Sequence, residues 1–138
     1  MIILDSNVLS ALMLPTPDPV VIRWLDRQPT ASIWTTSVTM FEVRFGLEAM
    51  PAGKRQTAMK SAFDYWLGKI IQERIAHFDS EAARCAADLA AERQKRGRPK
   101  ELRDTMIAGI VLASHATLAT RNVKHFEDIA RSVVNPWQ

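Results

Sequence analysis

The chain begins with a wholly apolar run, "MIIL", that ends abruptly at Asp5. A short apolar run without polar alternation is typical of a strand buried on both faces, as in a parallel sheet. Similar runs recur about five times along the 138 residues, and a segment with helical apolar spacing follows each of the first four. This alternation predicts an α/β fold, a three-layer α/β/α domain whose parallel sheet has about five short strands, with residues 1–138 as a single domain.

The individual elements follow from their apolar patterns and their breakers. Pro15, Pro17, Pro29 and Pro51 end or delimit helical segments, and Ser37 is expected to cap the helix that follows the second strand. The predicted strands are "MIIL", "ASIWTTS", "RIAHFD", "TLAT" and "SVV", and the main predicted helices are "SNVLSALML", "PVVIRWLDRQ", "VTMFEVRFGLEAM", "GKRQTAMKSAFDYWLGKII", "EAARCAADLAAERQKR" and "LRDTMIAGIVLASHA", the last beginning near Asp104.

Composition excludes several classes of protein. Apolar residues make up 47% and charged residues 24% of the chain, which is the balance of a globular protein. Cys85 is the only cysteine, so neither an internal disulfide nor a cysteine zinc site can form. No apolar run approaches the ~18 residues of a membrane span. We therefore expect a cytoplasmic protein with no membrane segment; its net charge of +3 is compatible with a polyanionic partner.

Most of the 15 acidic residues have a basic residue three or four positions away on a predicted helix. Such spacing predicts surface ion pairs rather than a functional site. The predicted pairs are Asp26 with Arg23, Glu48 with Arg44, Asp64 with Lys60, Glu73 with Lys69, Glu81 and Asp88 with Arg84, Glu92 with Arg96, and Glu127 and Asp128 with Lys124 and Arg131.

Asp5, Glu42 and Asp104 lack such an explanation. Asp5 ends an apolar strand, and the helical neighbours of Glu42 and Asp104 are mostly apolar. Burying an uncompensated carboxylate is costly, and a shared divalent cation would remove that cost. Two simpler interpretations stay open: Asp5 could cap the next helix, and Asp104 could interact with a helix dipole. Glu42 lies mid-helix, where neither applies.

The contexts of these acids carry a family resemblance. "MIILDSNVLSAL", "TTSVTMFEVRFGL", "LRDTMIAGI", "LATRN" and "VVNPW" resemble, in order, the motifs of PIN-domain ribonucleases of the VapC/FitB toxin type. The resemblance implies a Mg²⁺-dependent endoribonuclease, with Mn²⁺ as an alternative cofactor. It also implies the toxin of a toxin–antitoxin pair, a homodimer, and a small inhibitory antitoxin that can bind operator DNA.

Carried over residue by residue, the resemblance assigns Asp5, Glu42 and Asp104 as the catalytic, metal-binding acids. Asp5 and Asp104 would be direct ligands, and Glu42 would act through water or on a second metal. Asn122 matches the fourth position, which in relatives holds Asp, Asn or Ser. Many relatives have Asp where this chain has His125; we expect His125 near the rim of the site rather than on the metal.

Basic residues surround two of these positions. The run of residues 93–103 contains six basic residues and one acid, Glu101, and it leads into Asp104. Such residues could bind RNA phosphates, although a solvated loop would have the same composition. The residues expected to contact RNA are Arg98, Lys100, Arg103, Arg121 and Lys124.

Two other functions fit part of the pattern. A receiver-like phosphoacceptor domain would use Asp5 and Asp79 at strand ends, but would leave Glu42 and Asp104 unexplained. A degenerate PIN module would bind RNA or a partner without cleavage. Its motivation is that Asn122 and His125 stand where relatives can carry acids.

Overall fold

The computed structural model describes all 138 residues and contains five short strands and six α-helices. The strands are β1 (Ile2–Leu4), β2 (Ile33–Thr36), β3 (Ile75–Ala76), β4 (Thr117–Ala119) and β5 (Val133–Val134). The helices are α1 (Ser6–Leu12), α2 (Pro19–Asp26), α3 (Ser37–Ala49), α4 (Lys54–Tyr65), α5 (Ser80–Lys95) and α6 (Leu102–Ser114). Shorter helical segments are the 3₁₀ turns Thr30–Ser32 and Val123–Ser132 and the π-helical Trp66–Ile71, which continues α4.

The strands form one parallel sheet in the order β3-β2-β1-β4-β5. β1 is central, with Ile3 paired to Trp34 on one side and to Leu118 on the other. Chain order runs outward from β1 to β3 on one side and then resumes at β4 on the other side. The point where the order reverses therefore lies between β1 and β4, and ligands of open parallel sheets bind at the carboxyl ends of such strands.

Helices cover both faces of the sheet, which gives the predicted three layers. Ile3 packs into a buried cluster with residues of α5 and α6, whereas its neighbour Leu4 packs into a second cluster with α1, α2 and α4. Leu118 and Ala119 of β4 divide between the same two clusters. This is why the strands read as continuous apolar runs: successive side chains point to opposite faces, and both faces are buried.

Side-chain caps fix where the helices at the carboxyl edge begin. Thr36 caps α3, because its Oγ1 accepts a hydrogen bond from the Thr39 N–H at 2.9 Å; the prediction of Ser37 as the cap was wrong by one residue. Glu101 caps α6 by accepting from the Asp104 N–H at 3.1 Å. The helix thus starts two residues before Asp104 and places that acid in its first turn.

No helix is long and apolar enough to cross a membrane. Cys85 is a free, partly buried cysteine on α5.

Gly109 allows α5 and α6 to pack closely, and Gly109→Ala is expected to destabilise the fold. An added Cβ would lie 2.5 Å from the Ala82 carbonyl oxygen and 2.6 Å from the Ala86 Cβ. These atoms belong to a neighbouring helix and not to the end of a flexible side chain. We therefore expect Gly109→Ala to lower the free energy of unfolding, measured in urea, by about 1–3 kcal/mol. Gly46→Ala is the control: a Cβ there meets no atom within 4 Å. It should stabilise α3 by up to about 1 kcal/mol; equal effects at both positions would contradict the packing argument.

Candidate active site

Asp5 directly follows the central strand and is 2% exposed. Its Oδ2 accepts hydrogen bonds from the Thr120 hydroxyl at 2.7 Å and from Asn7 Nδ2 at 3.2 Å, and its Oδ1 accepts from the Ser6 N–H at 2.8 Å. Asp5 is thereby also the cap of α1. Burial raises the pKa of the Asp5 carboxyl, and the charge of Asp104 raises it further, while the hydrogen bonds oppose this shift.

Asp104 faces the same edge of the sheet from the first turn of α6. Its side chain is 17% exposed, and its Oδ2 lies 2.9 Å from His125 Nδ1. Burial is the main cause that raises the pKa of Asp104; the charge of Glu101 adds to the increase, and His125 opposes it. His125 therefore contacts one of the three acids directly and is itself mostly exposed, which places it at the rim.

Glu42 approaches from α3, the helix that follows β2. Its Oε1 is shielded from solvent and has no hydrogen-bond partner. Burial raises the pKa of Glu42 to about 7; Asp5 and Asp104 add to the increase, and Arg103 opposes it. A buried carboxylate oxygen without a donor is unusual, because native structures satisfy nearly all such atoms.

The charges of Asp5 and Asp104 raise the pKa of Glu42, and the charge of Asp104 raises the pKa of Asp5, so the three acids lie near enough to interact electrostatically. A divalent cation would compensate that repulsion and give the orphaned Glu42 oxygen a partner, so the donor set fits a hard metal ion. As arranged, however, no three residues of the His, Cys, Asp and Glu types are close enough together to enclose an ion. Direct coordination in this arrangement would therefore use fewer than three of the carboxylates.

Thr120 and Asn7 link the ends of β1 and β4. The Thr120 Oγ1 accepts from the Asn122 N–H at 3.0 Å and from Asn7 Nδ2 at 3.1 Å while donating to Asp5. Asn122 itself is exposed next to this network. Asn7 was missed as a site residue; its position two residues after Asp5, in the first turn of α1, was the available signal.

Arg93 holds the segment that carries His125. It is 3% exposed, and its guanidinium donates to both carboxylate oxygens of Asp128 at 2.7 and 2.8 Å and to Thr105 Oγ1 at 2.9 Å. The prediction that Asp128 pairs with Lys124 and Arg131 was therefore wrong. Arg93 lowers the pKa of Asp128. Nothing in the sequence signals this contact, which joins residues 35 positions apart.

Several predicted surface pairs also change partner. Arg84 does pair with Glu81 and Asp88, and Arg96 with Glu92, as predicted. Glu48 pairs with Lys60 instead of Arg44, whose guanidinium lies over the Phe63 ring. Asp26, Asp64 and Glu73 make no ion pair within 4.0 Å.

The residues expected to contact RNA divide into two groups. Glu127 lies 4.0 Å from Arg98 and 3.5 Å from Lys100, rather than near Lys124 or Arg131, and Arg103 pairs with Glu101 at 3.2 Å. Arg121 and Lys124 are exposed and pair with no carboxylate. The predicted basic surface is thus largely neutralised along residues 98–103 and uncompensated beside Asn122.

Comparison with known proteins identifies the fold family. The family model for the PIN domain matches residues 2–132. The chain belongs to the PIN domain family. The VapC ribonuclease Y4jK of Sinorhizobium fredii is 36% identical over 138 residues, covering 100% of this chain and 99% of the relative. The plasmid stability protein StbB of Pseudomonas syringae pv. tomato is 34% identical over 138 residues, with the same coverage of 100% and 99%.

Solved structures of PIN-domain toxins have the same architecture. The crystal structure of FitAcB from Neisseria gonorrhoeae matches with a TM-score of 0.89 and 28% identity, covering 100% of this chain and 99% of that one. Membership of the PIN family excludes the receiver-like alternative. In keeping with this, Asp79 caps α5 by accepting from the Ala82 N–H at 2.9 Å and follows β3, which β2 separates from β1.

Proposed function

We propose that this PIN domain is a metal-dependent endoribonuclease and the toxin of a toxin–antitoxin pair. The observation that carries the proposal is the meeting of Asp5, Glu42 and Asp104 at the β1/β4 edge, with one Glu42 oxygen buried and unpartnered. Relatives named ribonuclease and toxin, such as Y4jK and FitB, support the reaction class.

Each polar residue of the site has a proposed role. Asp5 and Asp104 would hold Mg²⁺, or Mn²⁺, directly, Glu42 would act through a water molecule, and Asn122 would offer a neutral oxygen. Magnesium usually takes only one or two carboxylates directly, which suits the open spacing of the acids. The bound cation would supply Lewis-acid activation of the phosphodiester and of water.

The remaining residues orient these acids. Thr120 and the Ser6 N–H fix the two oxygens of Asp5, and His125 fixes one oxygen of Asp104. Such supporting hydrogen bonds around metal-binding carboxylates set their geometry and affinity. Asn122 can orient a water molecule but cannot accept its proton, whereas the carboxylates and a neutral His125 imidazole can.

The RNA is proposed to reach the site over the basic residues beside it. Arg121 and Lys124 carry the uncompensated charge, and Arg98, Lys100 and Arg103 would have to exchange their carboxylate partners for phosphates. Contacts of this kind are sequence-independent and weaken as salt concentration rises.

A protein partner is proposed to cover part of the surface. Phe41 and Phe45 are exposed on α3 with their rings stacked 6.1 Å apart between centroids, an apolar feature typical of interfaces. The solved relatives titled FitAcB and FitAB bound to IR36 DNA support a small antitoxin that binds operator DNA. We also propose a homodimer.

Metal-dependent cleavage tests the proposed function. The purified chain is expected to cut single-stranded RNA internally in Mg²⁺ or Mn²⁺ and to leave it intact in EDTA, because the carboxylates need the cation to activate water. The measurement is gel analysis of end-labelled RNA, with re-addition of metal as the control. Binding of RNA without cleavage under every metal condition would favour the degenerate PIN module instead.

A further inference from the structure

The Arg121 guanidinium lies over an aromatic ring near the carboxyl ends of the strands. Its Cζ lies 4.8 Å from the centroid of the Trp137 ring. Arg121 is exposed, and its guanidinium makes no ion pair and donates no hydrogen bond to the protein. The guanidinium is thus held over the indole, while its N–H donors stay available to a ligand.

Trp137 is held firmly enough to support this arrangement. Its ring packs against the buried cluster that contains Leu4 and Ala119, and its backbone N–H donates to Asn135 Oδ1 at 2.9 Å. We call the stacked pair the Arg121–Trp137 platform.

The backbone of Arg121 is close to the candidate metal-binding acids. The backbone N–H of Arg121 donates to Asn7 Oδ1 at 3.0 Å, and Asn7 Nδ2 donates to Asp5 Oδ2 at 3.2 Å. Two hydrogen bonds therefore connect Arg121 to Asp5. Trp137 follows β5 by three residues, so it lies at the same edge of the sheet.

Resting on the proposed function, we propose that the Arg121–Trp137 platform binds the nucleotide next to the phosphate to be cleaved, with the base stacked on the guanidinium. Planar guanidinium groups stack on the bases of single-stranded RNA and can also donate to phosphate oxygens. An acidic peptide would meet the positive charge but would have no use for the flat face. The platform makes Arg121 a positioning residue and gives the site a preference for unpaired bases.

The experiment measures binding of a short fluorescein-labelled single-stranded RNA in EDTA, so that cleavage does not contribute. Arg121→Ala is expected to weaken binding about tenfold, since stacking of one base is lost. Arg121→Lys keeps the charge without the planar face and is still expected to weaken binding at least about threefold. Trp137→Leu should add little to Arg121→Ala, because both variants remove the same platform.

Arg131→Ala is the matched control. Arg131 is also exposed and has no carboxylate partner. It lies two residues before β5, however, and therefore at the amino ends of the strands. Its loss should weaken binding by less than about twofold. Equal losses for Arg121→Ala and Arg131→Ala, or wild-type binding by Arg121→Lys, would overturn the platform. So would competition by an acidic peptide as strong as that of unlabelled RNA.

Cleavage assays separate this proposal from the nuclease proposal. If wild type cleaves RNA but Arg121→Ala leaves KM unchanged, the platform is wrong and the nuclease stands. If RNA binding depends on Arg121 as expected but no metal supports cleavage, the platform stands and the nuclease is wrong.

Discussion

Asp104→Asn is expected to abolish RNA cleavage while leaving the fold intact, lowering kcat/KM by at least about a thousandfold. Asparagine preserves the size of the side chain and one oxygen, so the contact with His125 Nδ1 can persist. What is lost is the negative charge that holds the cation. A bound cation contributes several kcal/mol of charge stabilisation in the transition state, and ~4 kcal/mol corresponds to about a thousandfold in rate.

Three measurements on this variant separate loss of metal from loss of structure. RNA cleavage is measured in Mg²⁺ and in Mn²⁺. Metal affinity is measured by titration calorimetry, and thermal unfolding is measured in EDTA. Without metal, Asp104→Asn should melt at or above the wild-type temperature, because the charge of Asp104 destabilises both Asp5 and Glu42 in their ionised forms. A lower melting temperature with lost cleavage would mean that the change had damaged the fold.

Asp64→Asn is the control for the same chemical change. Asp64 is exposed on α4 and makes no ion pair, so its replacement should leave cleavage and metal affinity unchanged. If Asp104→Asn cleaved RNA as well as Asp64→Asn did, or bound metal with wild-type affinity, Asp104 would not be a metal-binding residue.

The sheet and the meeting of the acids could be predicted because both depend on chain topology. Continuous apolar runs identified the strands, and all strands of a parallel sheet that alternates with helices end at one edge. Asp5 follows β1, Asp104 lies in the first turn of α6, the helix before β4, and Glu42 lies more than one turn into α3. Their apolar local contexts drew attention to these three acids, and the resemblance to PIN-domain motifs assigned them to one site. Their distances were not predictable, and neither was the part played by Asn7, which reaches across to Thr120 on another element.

The ion pairs of the last segment could not be predicted, for a specific geometric reason. Spacing rules assume a regular α-helix, in which residues three and four apart share a face. Residues 123–132 form 3₁₀ turns instead, and Phe126 and Ile129 depart from helical backbone angles. Asp128 therefore turns away from Lys124 and Arg131 and reaches Arg93 on α5. The same change leaves Lys124 without its predicted carboxylate partners.

Asp128→Ala is expected to lower the free energy of unfolding by about 3 kcal/mol. The change leaves the Arg93 guanidinium buried at 3% exposure without its carboxylate. Removing one partner of a buried ion pair costs about 3–5 kcal/mol. The lower end applies here because the Asp128 side chain is 29% exposed to solvent. A cavity of about 440 Å³ beside both residues also lets water reach the pair.

Glu127→Ala is the matched control, since Glu127 precedes Asp128 but its pairs with Arg98 and Lys100 are exposed. Glu127→Ala should change the free energy of unfolding, measured in urea, by less than about 0.5 kcal/mol. The double variant Arg93→Met with Asp128→Ala should be more stable than Asp128→Ala alone, because no charge is then left buried. Equal effects of Glu127→Ala and Asp128→Ala would contradict the role assigned to the buried pair.

The difference in unfolding free energy between wild type and Asp128→Ala should depend on pH in a defined direction. Arg93 lowers the pKa of Asp128 in the folded state below its value in the unfolded chain. The ion pair therefore contributes fully above the unfolded value of about 3.9 and is lost as pH falls below it towards the lower folded value. The difference in stability between wild type and Asp128→Ala should be constant near neutral pH and should shrink in acid. Asp128 is not among the proposed metal-binding residues, so a loss of kcat in Asp128→Ala at neutral pH would show that Arg93 and Asp128 position His125 against Asp104.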